Sequence, residues 1–333
     1  VASTARSLTR RETREAIMTL HRRSLLAAPL LAALPAAAQT PWQPTRPVQL
    51  IVGFAPGGGS DVIARVIAQA AAPLYPQPLV VVNRPGAGGG IAAEFVSRAE
   101  ADGHTLLLAG GSESTSIPAH RAVPYDPKKS FRAIIRLTRN GQFIVAKGNG
   151  RFRTMADVIA AAKEKPEAVT HASAGAGTLS HSIFIVLGRA AGVQFLHVPF
   201  QGGGPSLQAV VAGQVDVSVA APEEMAGLVA SGDLRVLAVA SPERGPAYPQ
   251  VPTLSELGFP VLVENMKGWV GPAGITDAMV AYHHERMRQA MAADAWKQFM
   301  ARTGEPDGYV DGPGFQRAMD ELLDRIAASL RAA

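Results

Sequence analysis

The stretch FAPGGGSDVIAR, Phe54 to Arg65, follows the apolar run Val48 to Val52 and leads directly into apolar residues at helical spacing. A buried strand ending in a glycine loop that opens a helix is how an α/β protein presents a ligand-binding edge. Gly57, Gly58 and Gly59 permit positive φ and close approach by a bound group, and Ser60 or Asp61 can cap the helix behind them. Free amides at such a helix start suit an anion, so the loop reads either as a ligand site or as a tight structural turn.

Outward from this loop the same punctuation recurs. Leu79 to Val82 runs into NRPGAGGG at 83–90, and Thr105 to Ala109 ends at Gly110-Gly111-Ser112. Val169 to Ala172 ends in SAGAGTLSH at 173–181, Phe195 to Val198 in PFQGGGPS at 199–206, and Val215 to Val219 forms a further buried strand. Repeated units of this kind imply parallel strands whose ligand-facing ends lie together. Two strands are expected at Ala133 to Leu137 and Gln142 to Ala146, with a crossover into a second lobe near 145–150 where composition changes. Leu234 to Ala240 is read as a return strand toward the first lobe, with the second crossing at 238–244. Two amphipathic helices, near 277–292 and 314–330, present Met279, Met287, Met291, Phe315, Met319 and Leu322 to a partner surface on the first lobe.

The 333 residues, 47% hydrophobic and 18% charged, suffice for a core and divide most naturally into two lobes. With no cysteine, disulfides, thiol catalysis and thiolate metal sites are excluded. The formal charge of +5 is no sign of nucleic acid: residues 1–38 hold six arginines against two glutamates, which leaves 26 basic and 25 acidic side chains beyond. Arg22-Arg23-Ser24, the apolar run Leu25 to Leu34 and Ala36-Ala37-Ala38 read as a secretory signal peptide over 18–38. Residues 1–17 read as an over-extended start before Met18. The mature protein is expected from about Gln39, soluble and exported to the periplasm, with either the general or the twin-arginine route open.

Several chemistries fail on spacing. GAGGGI at 86–91 and GAGTLS at 175–180 lack the last glycine of a dinucleotide fingerprint, and Ser60-Asp61 stands where a phosphate loop needs Lys-Ser/Thr. Neither Ser112 nor Ser173 sits in a G-x-S-x-G elbow, although a hydrolase or isomerase built on Ser173 with His181 or His197 stays formally open. No trio of histidines has a metal-ligand spacing, and neither metal nor cofactor is expected. Small carboxylates fit better, because amides and hydroxyls of Ser60, Ser112, Ser173 and Thr178 can hold carboxylate oxygens at helix starts. Asp61 is read as a cap of its own helix or as the acceptor of an ammonium or hydroxyl from the ligand, and Asp216 as a structural acid of the second lobe. Phe54 and Trp269 are either cleft walls or core, and Arg84 is a cation that contacts either the ligand or a neighbouring carboxylate.

FAPGGGSDVIAR at 54–65, VVNRPGAGGG at 81–90, PYDP at 124–127, SAGAGTLSH at 173–181, HVPFQGGGPS at 197–206, GQVDVSV at 213–219, LRVLAVASPER at 234–244, VPTLSELG at 251–258 and GPAG at 271–274 together resemble the Bug family, extracytoplasmic receptors related to the TctC component of tripartite tricarboxylate transporters. The resemblance spans nearly the whole mature chain. It implies a type II periplasmic binding protein, with lobe 1 at 39–146 plus 241–333 and lobe 2 at 147–240, each a mostly parallel sheet flanked by helices. The resemblance implies ligand contacts from Gly57, Gly58, Gly59, Ser60, Asp61, Gly88, Gly89, Ser173, Gly175, Thr178, His181 and Gly203, to which the reading of the residues adds Phe54 and Ser112. The implied ligand is a small organic carboxylate or amino-acid-like solute. The implied partners are inner-membrane permease subunits or a sensor protein, and the receptor is expected to be a monomer without enzymatic activity. Glu113, Glu223 and Glu224 depart from the family pattern by adding acid near a site meant for anions.

Overall fold

The computed structural model describes residues 42–305 and 307–331; the expected over-extended start and signal peptide lie outside them. Strand β1, Val48–Val52, has Val48, Leu50, Ile51 and Val52 fully buried, as a strand covered on both faces requires. Helix α1, Gly59–Ala71, turns Ile63, Ala64, Ile67 and Ala71 inward. β2 (Leu79–Asn83), α2 (Gly90–Ser97), β3 (Thr105–Ala109), the short α3 (Ser116–His120) and β4 (Phe131–Gly141) follow. Next come β5 (Phe143–Lys147), α4 (Met155–Glu164), β6 (Thr170–Ser173), α5 (Leu179–Ala191), β7 (Leu196–Pro199), α6 (Gly203–Ala212), β8 (Val217–Ala220), α7 (Pro222–Ala230) and β9 (Leu234–Val239). The chain closes with β10 (Glu264–Pro272), α8 (Asp277–Met291), α9 (Asp294–Thr303), β11 (Val310–Asp311) and α10 (Gly312–Arg331).

The first sheet has the order β11-β4-β10-β3-β1-β2 and the second β7-β6-β8-β5-β9. Both sheets, expected to be mostly parallel, are mixed. β1 to β3 and β6 to β8 pair in parallel, whereas β4, β5, β9 and β10, the strands flanking each passage between the sheets, pair antiparallel. β4 belongs to the first sheet and β5 to the second, so the first crossing falls at Gln142, ahead of the expected 145–150. β9 pairs with β5 in the second sheet, and the chain regains the first sheet only with β10, which lies between β3 and β4. β10 is a central strand although ENMKGWVGP lacks the apolar run of one.

The closing region has three helices where the sequence suggested two. α9 places Trp296, Phe299, Met300 and Thr303 inward at helical spacing. Met287 and Met291 of α8 join α1 and Trp269 in one core cluster, so Trp269 is core. Phe315, Met319, Leu322 and Ile326 of α10 share another cluster with Ile51 and Leu107, and that cluster continues into the second lobe through Leu254, Val261 and Met266 to Ile144 and Phe184. Asp216 holds the second lobe as expected, accepting from the Thr170 amide and hydroxyl at 2.9 Å each and pairing with Arg151.

Candidate functional site

The loops that leave β1, β3, β6, β7 and β8 converge on one cavity, at the carboxyl ends of the parallel strands. Gly53 permits this close approach: a Cβ there would lie 2.7 Å from the Gly89 Cα, so the first two glycine loops pack backbone on backbone. Asp61, 3% exposed, braces the first loop. Its Oδ2 accepts from the Gly57 amide and Arg65 Nε, and its Oδ1 from Asn83 Nδ2, each at 2.9 Å; Asn83 also donates to the Phe54 carbonyl. Burial alone would raise the Asp61 carboxyl, but the bonds from Arg65, Gly57 and Asn83 outweigh it and hold the group below its ordinary range.

Across the cleft the lobes are joined by direct hydrogen bonds. Ser112 Oγ accepts from the Leu179 amide at 3.0 Å, so a first-lobe hydroxyl caps α5 of the second lobe. Ser116 Oγ donates to the Gly177 carbonyl at 2.7 Å, and His120 Nε2 lies 2.8 Å from Ser182 Oγ. On the opposite side the Gly59 amide donates to Glu224 Oε1 at 2.8 Å, while Glu224 Oε2 accepts from Ala221 at 3.1 Å. Glu223 forms an ion pair with Lys267 of β10, both side chains at or below 4% exposure. Asn140 Nδ2 donates to both Glu305 oxygens at 3.0 Å and approaches Glu223 Oε2 at 3.4 Å. Burial and the neighbouring Glu223 push the Glu305 carboxyl well up, whereas Lys267 holds Glu223 down against its own burial.

Two small cavities remain between these contacts. One, of about 60 Å³, is lined by Phe54, Gly58, Gly59, Ser60, Ser112, Gln142, Ala174, Leu179, Ser180, Gly203, Val219 and Glu224. The other, of about 40 Å³, shares Phe54, Ser60 and Ser112 and adds Glu113, Asn265 and Lys267. Of the residues the sequence offered as ligand contacts, Phe54, Gly58, Gly59, Ser60, Ser112 and Gly203 line the first of these cavities.

The remaining candidates make contacts within and between the loops. Gly57 gives its amide to Asp61. Gly88 and Gly89 have φ of +67° and +95°, and a side chain would meet Ile117 and Thr178 at the first and Glu113 and Phe54 at the second. Ser173 is fully buried, with Oγ bonded to the Gly175 carbonyl and to His197 Nε2. Thr178 Oγ1 donates to the Gly175 carbonyl, and His181 Nδ1 accepts from Gly177 at 3.0 Å. Ser173 thus pairs with His197 rather than His181, and it is closed to solvent. Among the described residues no carboxylate bonds His197, so the third group of a triad is not supplied.

His171, His181 and His197 bring one nitrogen each within 4.8 Å of one another. Their rings are stacked, His181 on His197 at 3.8 Å and 12° and His171 on His197 at 4.8 Å and 21°, so their in-plane lone pairs run side by side rather than converging. Burial lowers His171 to about 3 and His181 to about 4, which keeps the stack neutral. Arg84 lies 3.7 Å over the Phe95 ring, a first-lobe contact away from both cavities. Sequence reasoning noted Glu113 and Glu224 only as departures and missed Lys267, Gln142, Asn265 and Ser180. The signal for Lys267 is a lone charge inside the otherwise buried stretch Met266 to Pro272.

The family model described as the tripartite tricarboxylate transporter family receptor matches residues 63–328. The chain belongs to that family. It is 30% identical to protein BugT of Bordetella pertussis over 82% of this chain and 84% of that protein. Its fold is similar to that of MatC from Rhodopseudomonas palustris with bound malate, with a TM-score of 0.81, 28% identity and coverage of 86% of this chain and all of that one. A second R. palustris protein, Rpa4515 with adipate, gives a TM-score of 0.79 at 26% identity over 86% and 97% of the two chains. The two-sheet receptor is thus an α/β solute-binding protein of the two-lobed periplasmic kind. Among the described residues no helix is long and apolar enough to cross a membrane.

Proposed function

We propose that this receptor captures a small carboxylate-bearing or amino-acid-like solute in the periplasm by closing its two lobes, and delivers it to membrane permease subunits without chemical change. The carrying observation is the ring of cross-lobe hydrogen bonds from Ser112, Ser116, Gly59 and Lys267 around the Phe54, Ser60 and Ser112 wall. Each such bond contributes about 0.5–1.5 kcal/mol net, so a handful can be traded against ligand contacts when the cleft opens and recloses. The malate and adipate bound by the two structural relatives support a carboxylate guest. Isothermal titration of the purified receptor against dicarboxylates, tricarboxylates, amino acids and aromatic acids tests the reading. One-to-one binding with the solute recovered intact by mass spectrometry is expected; heatless titrations with every class, or a product of altered mass, would overturn it.

A further inference from the structure

The corner that the glycine loop offers to an anion is already engaged by this chain's own carboxylates. The Gly57 amide is bonded to Asp61 and the Gly59 amide to Glu224, so an incoming carboxylate at α1 would meet two like charges. Glu224 is built into place: its own helix start holds Oε2, and a side chain at Gly203 would collide with Oε1. On the other side of Phe54, Glu113 is 2% exposed and lines the second cavity. Its Oε1 accepts from the Gly111 amide at 3.1 Å and from Ser114 Oγ at 3.2 Å. Among the described residues Glu113 Oε2 takes no hydrogen bond. Lys267 is the sole basic residue lining either cavity among the described residues, and it is committed to Glu223. Enclosure pushes the Glu113 and Glu224 carboxyls up, the behaviour of acids short of a counter-cation.

Two hydroxyls on the shared wall suit a carboxylate instead. Ser112 Oγ accepts from Leu179, which leaves its own hydrogen to donate, and Ser60 faces both cavities. Resting on the receptor reading above, we infer that the solute is an amino-acid-type zwitterion. Glu113 Oε2 receives its ammonium, Ser60 and Ser112 receive its carboxylate, and Glu224 bars a second anionic group from the α1 amides.

The test is isothermal titration at constant salt with single-carboxylate pairs that differ only in the amino group, alanine against propionate and glutamine against glutaramate, with glutarate as the probe that adds a second anionic group. In at least one pair the amino acid should bind about tenfold or more tightly than its partner, the equivalent of one charge-assisted hydrogen bond. Glu113→Gln keeps an oxygen for Gly111 and Ser114, so it should fold with an unchanged melting temperature and abolish the preference. Glu224→Gln should raise the affinity for glutarate, which carries a second carboxylate, about tenfold. Deamino partners that bind as tightly as the amino acids, or a preference that survives Glu113→Gln, would overturn this inference and leave the receptor reading standing. Binding of no carboxylate of any class would overturn both.

Discussion

At the scale of single residues, the glycine loop is read by what lies across the cleft from it. A Cβ on Gly59 would strike the Glu223 and Glu224 side chains, whereas one on Gly58, in ordinary extended backbone, meets only contacts of 3.6 Å and beyond. Gly59→Ala should therefore weaken solute binding at least about tenfold while Gly58→Ala changes it little, as titration would read. Lys267→Met strips the buried Glu223 of its cation, an expected loss of about 3–5 kcal/mol in urea unfolding, and adding Glu223→Gln should restore much of it. The histidine stack sets a pH dependence. His171 and His181 have folded pKa values, about 3 and about 4, below the ordinary 6.5, so the unfolded chain binds more protons between those values. Their stability contribution is full above about 6.5 and is lost as pH falls through the folded values. Glu113, Glu224 and Glu305 are raised and slope the other way, so the check is the difference between wild type and His181→Gln. The wild type should lose more stability than the variant on going from pH 7 to pH 5. Asp61 reads as a cap from its place behind three glycines, but α1 has no side-chain cap bond at its start, and the carboxylate braces the loop through the Gly57 amide instead; the partner of Glu223 was not legible, because 44 residues separate it from Lys267.

At the scale of elements, α5 begins without a side-chain cap of its own, and Ser112 of the other lobe supplies the acceptor at Leu179. Ser112→Ala should cost the closed form about 0.5–2 kcal/mol, seen as faster hydrogen exchange at the first amides of α5 and as weaker solute binding. By contrast α4 carries a capping box within itself, Thr154 with Asp157, so its start is fixed by residues local in sequence. β1, β3 and β8 were legible as apolar runs because both of their faces are covered. β10 was not, since its residues serve two ends: Trp269 and Val270 fill the core while Lys267 reaches the cleft. α9 escaped because Asp294 to Thr303 follows α8 after only two residues, which blurs two helical periods into one.

At the scale of the whole molecule, closure is held by two patches on either side of Phe54. One is hydroxyl-rich, Ser112 and Ser116 against α5, and the other is ionic, α7 against Gly59 and Lys267. Breaking the ionic patch with Gly59→Ala should enlarge the radius of gyration measured by small-angle X-ray scattering, and an added solute should reverse the change less completely than in wild type. The sequence by itself determined the α/β class, the two-lobed family and the strand-end loops, because these follow from hydrophobic period, turn residues and the order of motifs along the chain. Only the tertiary structure decided which of those loops face the cleft and what charge they meet there. Local pattern records what a residue does to its own backbone; the pairing of Gly59 with Glu224, of Lys267 with Glu223 and of Ser112 with Leu179 arises from how two separately folded sheets dock, and no spacing along the chain encodes that distance.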